Sequence, residues 1–149
     1  MAQQLTLENF LSMFESDLGK TVANIDWMIP ERTDIHDSIR RAWEELRPQF
    51  EVAKKETHKI AYADASSLKV RGLSGAQLEL KIREYAWRRE RLLNFDKSKL
   101  SKITGVVLKR LLRTLLASAD NVLDTLASMV PPVQPIKEFK DTLVSIASD

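Results

Sequence analysis

Apolar side chains recur along this chain at helical spacing. Leu7, Phe10, Leu11, Phe14, Leu18, Val22 and Ile25 keep to one face at about 3.6 residues per turn. Thr6 stands before them as an N-cap, with Leu5 and Phe10 at the staple positions around it. The spacing predicts a first helix over 7–25, ended by Pro30 and the polar Glu31-Arg32-Thr33. Asp34 is placed to cap a second helix. Its stripe of Ile35, Ile39, Ala42, Trp43, Leu46, Phe50, Ala53, Ile60 and Ala61 runs past Pro48 without changing face. That continuity predicts a helix kinked at Pro48, with a true break at residue 47 as the alternative, since an interior proline costs about 3 kcal/mol. A loop is expected from Asp64 to near Leu73.

The third helix has the clearest start. Ser74-Gly75-Ala76-Gln77 matches a capping box, flanked by Leu73 and Leu78 as a staple. Leu78, Ile82, Tyr85, Ala86, Leu92 and Leu93 form its core stripe. Arg89 falls inside that stripe, whereas Leu80 and Trp87 fall on the opposite side. Asp96-Lys97-Ser98 is expected to separate this element from the longest helix, of about 99–129. There Leu100, Ile103, Val107, Leu108, Leu111, Leu112, Leu115, Leu116, Ala119, Val122, Leu123, Leu126 and Met129 cover more than half the circumference. A surface helix needs a stripe of only about 100°, so this helix is expected to be central. Its polar stripe carries Lys102, Lys109 and Arg113, then changes sign at Asp120 and Asp124. Val130-Pro131-Pro132 stops it, and Pro135 suits the first turn of a closing helix with Ile136, Phe139, Leu143 and Ile146 inward.

No segment alternates with period two, no Asn-Gly or Asp-Gly hairpin signal occurs, and no repeat has a fixed period. The fold expected is therefore all-α: an irregular bundle of about five helices forming a single domain over 1–149. One long central helix and the Pro48 kink are its distinguishing features.

Composition narrows the class. At 44% hydrophobic and 30% charged, the 149 residues are neither a disordered tail nor a membrane protein. Uninterrupted apolar runs such as Gly105 to Leu108 are far short of the roughly 20 residues a spanning helix needs. The start, Met1-Ala2-Gln3-Gln4, lacks the basic and apolar regions of a secretory signal. The absence of cysteine removes disulfides, thiolate nucleophiles and sulfur ligands. These features together suggest the cytoplasm. Net charge is +2, but residues 69–113 hold thirteen basic against four acidic side chains, while the segments on either side are net acidic. Such asymmetry speaks to partners rather than to fold.

Motifs for chemistry are missing. The two histidines, His36 and His58, lie on the second helix outside any HExxH spacing. Asp37 beside His36 does not share its face, so both read as solvated or half-buried structural residues. Glu44-Glu45, Glu51 and Glu56 come without the Glu-x-x-His motif of a di-metal bundle. Gly72 and Gly75 make a lone GxxG with no GKS or GKT after it, and the fold that clamps nucleic acid with such a loop needs a β-sheet. No cofactor is expected.

Two features carry functional information. Leu80 and Trp87 lie two turns apart, off the core stripe and beside Arg83, Arg88 and Arg91. Tryptophan and arginine are enriched at interface hot spots, although burial against a further helix accounts for the same pair. The second feature is the basic segment itself. Lys97, Lys99, Lys102, Lys109 and Arg113 are its candidate anion-binding residues, and arginines interleaved with Tyr85, Trp87 and Phe95 can grip phosphates and stack on bases. Arg88, Arg89 and Arg91 point in different directions on a helix, so one continuous patch does not follow.

The expected function is a non-enzymatic helical adaptor or regulator that binds another protein or a second copy of itself. A nucleic-acid-binding module using residues 69–113 is the alternative. An enzyme with no detectable motif is a further one, to which a deep polar pocket joining Tyr85, Arg89 and a glutamate of the second helix would point. A helix lying on a membrane surface fits poorly, because the apolar face of the long helix is wide and matches a bundle core.

Overall fold

The computed structural model describes residues 6–62, 75–99 and 105–148, with side chains at all of these but 60–62 and 95–99. Among the described residues there are six α-helices and no strands. These are α1 (Leu7–Ala23), α2 (Ile25–Met28), α3 (His36–Tyr62), α4 (Gly75–Lys99), α5 (Gly105–Met129) and α6 (Val133–Ser148), with a 3-10 helix, Pro30–Ile35, between α2 and α3. The bundle expected from the sequence is therefore observed, with one short helix more.

The five long helices close a ring. Helix α1 packs on α3, α3 on α6, α6 on α5, α5 on α4, and α4 returns to α1. Inside the ring Phe10 and Phe14 of α1 meet Tyr85 of α4 edge-on, at centroid separations of 5.1 and 5.9 Å. Phe14 also touches Phe50, and Trp43 links Phe50 to Phe139 of α6. Leu112, Leu116, Leu123 and Leu126 fill the α5 side. Close approach of α1 and α3 depends on Gly19, where a Cβ would lie 3.3 Å from the Trp43 indole.

Local signals explain most boundaries. The Thr6 side chain accepts the Asn9 amide at 3.1 Å, as an N-cap should. Helix α1 stops at Ala23 rather than 25 because Asn24 leaves helical geometry, and its side chain donates to the Lys20 carbonyl at 2.8 Å. Asp34 does not cap α3. It lies within the 3-10 helix, which runs directly into α3, and it pairs with Arg32 at 3.3 Å. Helix α3 continues unbroken through Pro48. Glu44, Arg47 and Pro48 are all exposed, so the carbonyl deprived of its donor is on the solvent side.

Two expectations about the long helix are corrected. Asp96-Lys97-Ser98 does not separate elements, since α4 runs to Lys99 and the next helix begins at Gly105. These residues carry propensity penalties of only tenths of a kcal/mol, and none is a proline or glycine. Leu100, Lys102 and Ile103 lie outside the described residues, as do the Ser74 cap and the loop expected at 64–73. Among the described residues the longest helix is α3, not α5. Helix α5 does have neighbours on several sides, namely α2, α4 and α6.

Its acidic stripe has a partner. Asp120 and Asp124, one turn apart, receive Lys140 and Lys137 of α6, and Lys140 is 3% exposed with Asp141 3.0 Å away. The hydrogen bond that Lys137 donates to Asp124 holds the pKa of its ammonium above the ordinary value. No helix among the described residues is long and apolar enough to cross a membrane.

Phe14 is fully buried among three rings. Phe14→Ala should destabilise the fold by about 3–5 kcal/mol in urea unfolding. Leu80→Ala, at an exposed position, should change stability by less than about 0.5 kcal/mol.

Candidate functional site

Two concave regions flank the contact between α4 and α5. One is a cavity of about 100 Å³, open to solvent at one edge and lined by the end of α1, by α2, and by the facing sides of α4 and α5. The other is an outward-facing groove on the far side of the same helix pair. Leu92 and Leu115 line both, so they form the wall between them.

A buried ionic cluster stands at the cavity's edge. Asp17, on the inward face of α1, is 8% exposed. The Tyr85 hydroxyl donates to its Oδ2 at 2.6 Å, and the Arg89 Nε–H donates to Oδ1 and Oδ2 at 2.9 and 3.1 Å. Burial pushes the Asp17 carboxyl up from 3.8 and outweighs the hydrogen bonds and charge of Tyr85 and Arg89, which pull it down. Burial and the neighbouring carboxylate push the Tyr85 phenol well above 10, so it remains a donor. Tyr85 and Arg89 are i,i+4 neighbours on α4, which is why one carboxylate can take both. The polar pocket envisaged with a glutamate of the second long helix thus has a different acid, Asp17 of α1. Tyr85 is sealed in the core rather than lining the cavity.

The groove gathers several of the residues singled out by sequence. Trp87, Arg88, Arg91, Leu92, Leu111 and Thr114 line one hollow of about 530 Å³. Arg88 and Thr114 continue into a second hollow bounded by Glu84 and Arg113. Trp87 is 55% exposed, and the Arg91 guanidinium lies 4.7 Å from its ring centroid. Leu80, 65% exposed, lies two turns before it on the same face. The further helix that would have buried this pair is absent from that face among the described residues.

The basic segment is dispersed by its contacts. Arg83 pairs with Glu79 at 2.9 Å and Arg88 with Glu84 at 3.1 Å, each within α4. Arg89 is committed to Asp17. Lys109 differs from the polar-stripe expectation: it turns inward and pairs with Glu31 of the 3-10 helix. Lys97 and Lys99 lie on the last turn of α4, and Lys102 is outside the described residues. Of the two candidate anion-binding residues whose side chains are described, Lys109 and Arg113, it is Arg113 that reaches the groove. Neither Arg91 nor Arg113 forms an ion pair with a described residue.

The histidines are accounted for by local structure. His36 is 5% exposed, more deeply buried than expected, with Nε2 2.9 Å from the Ile29 carbonyl oxygen and Nδ1 2.9 Å from Asp26 Oδ1. Asp26 also takes Arg40, whose hydrogen bond holds the carboxyl below its ordinary value. His58 is exposed beside Glu8 at 3.1 Å. Sequence reasoning missed Asp17, although a signal existed. It falls three residues after Phe14 and one before Leu18, on an otherwise apolar face, while Arg89 interrupts the matching face of α4.

Compared with protein-family models, curated proteins and solved structures, the chain has no match in any of the three.

Because burial dominates at Asp17, the folded chain holds that proton more tightly than the unfolded chain. Its contribution to stability is therefore largest below about pH 3.8 and is lost as pH rises through the raised native value. Asp17→Asn removes this dependence. The stability of wild type minus that of the variant, from urea unfolding at several values between about pH 3 and 7, should fall with rising pH and then level off. A difference that rises would mean that Arg89 and Tyr85 outweigh burial. Arg89→Met should cost about 3 kcal/mol at neutral pH, because it strands a buried carboxylate.

Proposed function

We propose that the chain is a non-enzymatic helical interaction module of the cytoplasm, and that it binds an acidic amphipathic segment of another protein along the α4/α5 groove. The observation that carries this reading is Trp87, a large indole half out of the protein, braced by Arg91 over an apolar hollow. Tryptophan and arginine in such settings dominate binding energy at protein interfaces. An exposed apolar strip continued by Leu80 and edged by cations is suited to i, i+3, i+4 and i+7 anchors of a partner helix.

Charge selects the partner's sign. Glu84 is already neutralised by Arg88, which leaves Arg91 and Arg113 uncompensated on opposite lips of the groove. A partner carrying carboxylates beside an apolar anchor satisfies both lips, and a basic partner meets repulsion from both. The dispersal of the remaining basic residues favours this reading over a nucleic-acid surface. A phosphate track needs several free cations in a row, whereas Arg83, Arg88, Arg89 and Lys109 already face carboxylates.

The test uses one defined partner with three variants. Binding by wild type should be weakened about thirtyfold or more by Trp87→Ala, the magnitude of a hot-spot truncation, and also by Arg91→Glu. Arg41→Glu on the exposed side of α3 should leave it unchanged. A partner held equally well by all three variants rules out the groove. Steeply salt-dependent binding of single- or double-stranded DNA, lost in the same two groove variants, would transfer the site to nucleic acid.

A further inference from the structure

We propose that the cavity beside the Asp17–Arg89 pair is a binding site for a small amphiphile, an apolar body of five or so carbon atoms carrying an anionic head such as a carboxylate. This goes beyond partner binding, because the cavity lies on the inner side of the Leu92–Leu115 wall and needs no macromolecule to fill it.

Size and lining define the body of the ligand. The volume of about 100 Å³ is somewhat less than the roughly 150 Å³ of an engineered apolar cavity that takes up benzene. Met28, Leu93, Leu108 and Leu112 supply an apolar interior that offers water few partners. An apolar chain or ring is therefore favoured over solvent there.

The polar end defines the head. Asp17 is the carboxylate bordering the cavity, and Tyr85 and Arg89 between them give it three hydrogen bonds. Arg89 uses only its Nε for this, and its terminal nitrogens have no partner among the described residues. Lys20, one turn after Asp17 on α1, lines the same opening, is exposed, and forms no ion pair with a described residue. The carbonyl end of α1 also reaches this edge, but Asn24 occupies it: its backbone N–H takes the carbonyls of Lys20, Thr21 and Val22, and its side chain takes Lys20 again. Two cations and one satisfied carboxylate leave a net positive rim over an apolar interior. An anion-headed amphiphile matches both, and an ammonium-headed one of the same length matches only the interior.

The probe is hexanoate, titrated into the full chain by calorimetry and by amide chemical shifts, with hexan-1-ol and hexylammonium as neutral and charge-reversed analogues. Hexanoate should bind and shift the resonances of Met28, Leu93 and Leu108. Hexylammonium should bind about tenfold more weakly or not at all. Lys20→Glu, at an exposed position, should weaken hexanoate about tenfold and leave hexan-1-ol unaffected, and circular dichroism should show the fold intact. Leu93→Trp, which fills the cavity from a half-buried position, should abolish binding of both. Trp87→Ala should leave all three ligands unchanged, which separates this site from the groove. The proposal is overturned if hexanoate produces no shifts at these residues, if the ammonium binds as well as the carboxylate, or if Lys20→Glu has no effect on hexanoate.

Discussion

A carboxylate placed under aromatic rings has to be met by donors, and in this chain the donors come from one neighbouring helix. Asp17 lies beside the contacts of Phe10 and Phe14 with Tyr85, and its oxygens are satisfied by Tyr85 and Arg89 of α4. Apolar packing alone allows helices to slide or rotate at modest cost. A buried charge does not, since a register that separates it from its donors leaves it unpaired in a medium of low polarity. The cluster therefore sets how α4 lies on α1, and the ring of helices closes through that contact.

The outward face of α4 follows from the inward one. With Tyr85 and Arg89 turned to α1, the residue midway between them must point nearly the opposite way, because each residue advances about 100° around the axis. That residue is Trp87, and Leu80 and Arg91 share its side. The exposed indole is thus the geometric counterpart of the buried ion pair. Leu92 and Leu115, between these faces, separate cavity from groove by the thickness of two side chains.

The positive charge concentrated in residues 69–113 looks like a single feature along the chain, and its described members part in space. Each of Arg83 and Arg88 lies one turn beyond a glutamate of its own helix, Arg89 turns to the core, and Lys109 turns to the 3-10 helix. Among the described residues, Arg91 and Arg113 on the groove and Lys20 on the cavity rim are left without an ion pair. Function, on this view, depends on where pairing stops rather than on the total.

The all-helical class, the Thr6 cap, the passage through Pro48, the stop at Pro131-Pro132 and the inward face of α6 were all legible from the residues alone. Periodicity, caps and prolines act through the nearest turns of backbone, so one stretch of chain contains all the information they need. That Leu80 and Trp87 stand off the core stripe of their own helix was legible too, from its spacing alone. Three matters were decided only by tertiary structure: that Asp17 is the acid for Arg89, that Lys109 is buried while Arg113 is not, and that no further described helix covers Trp87. Each depends on residues distant in sequence and adjacent in space, and no periodicity within a single helix specifies which charge on another will face it.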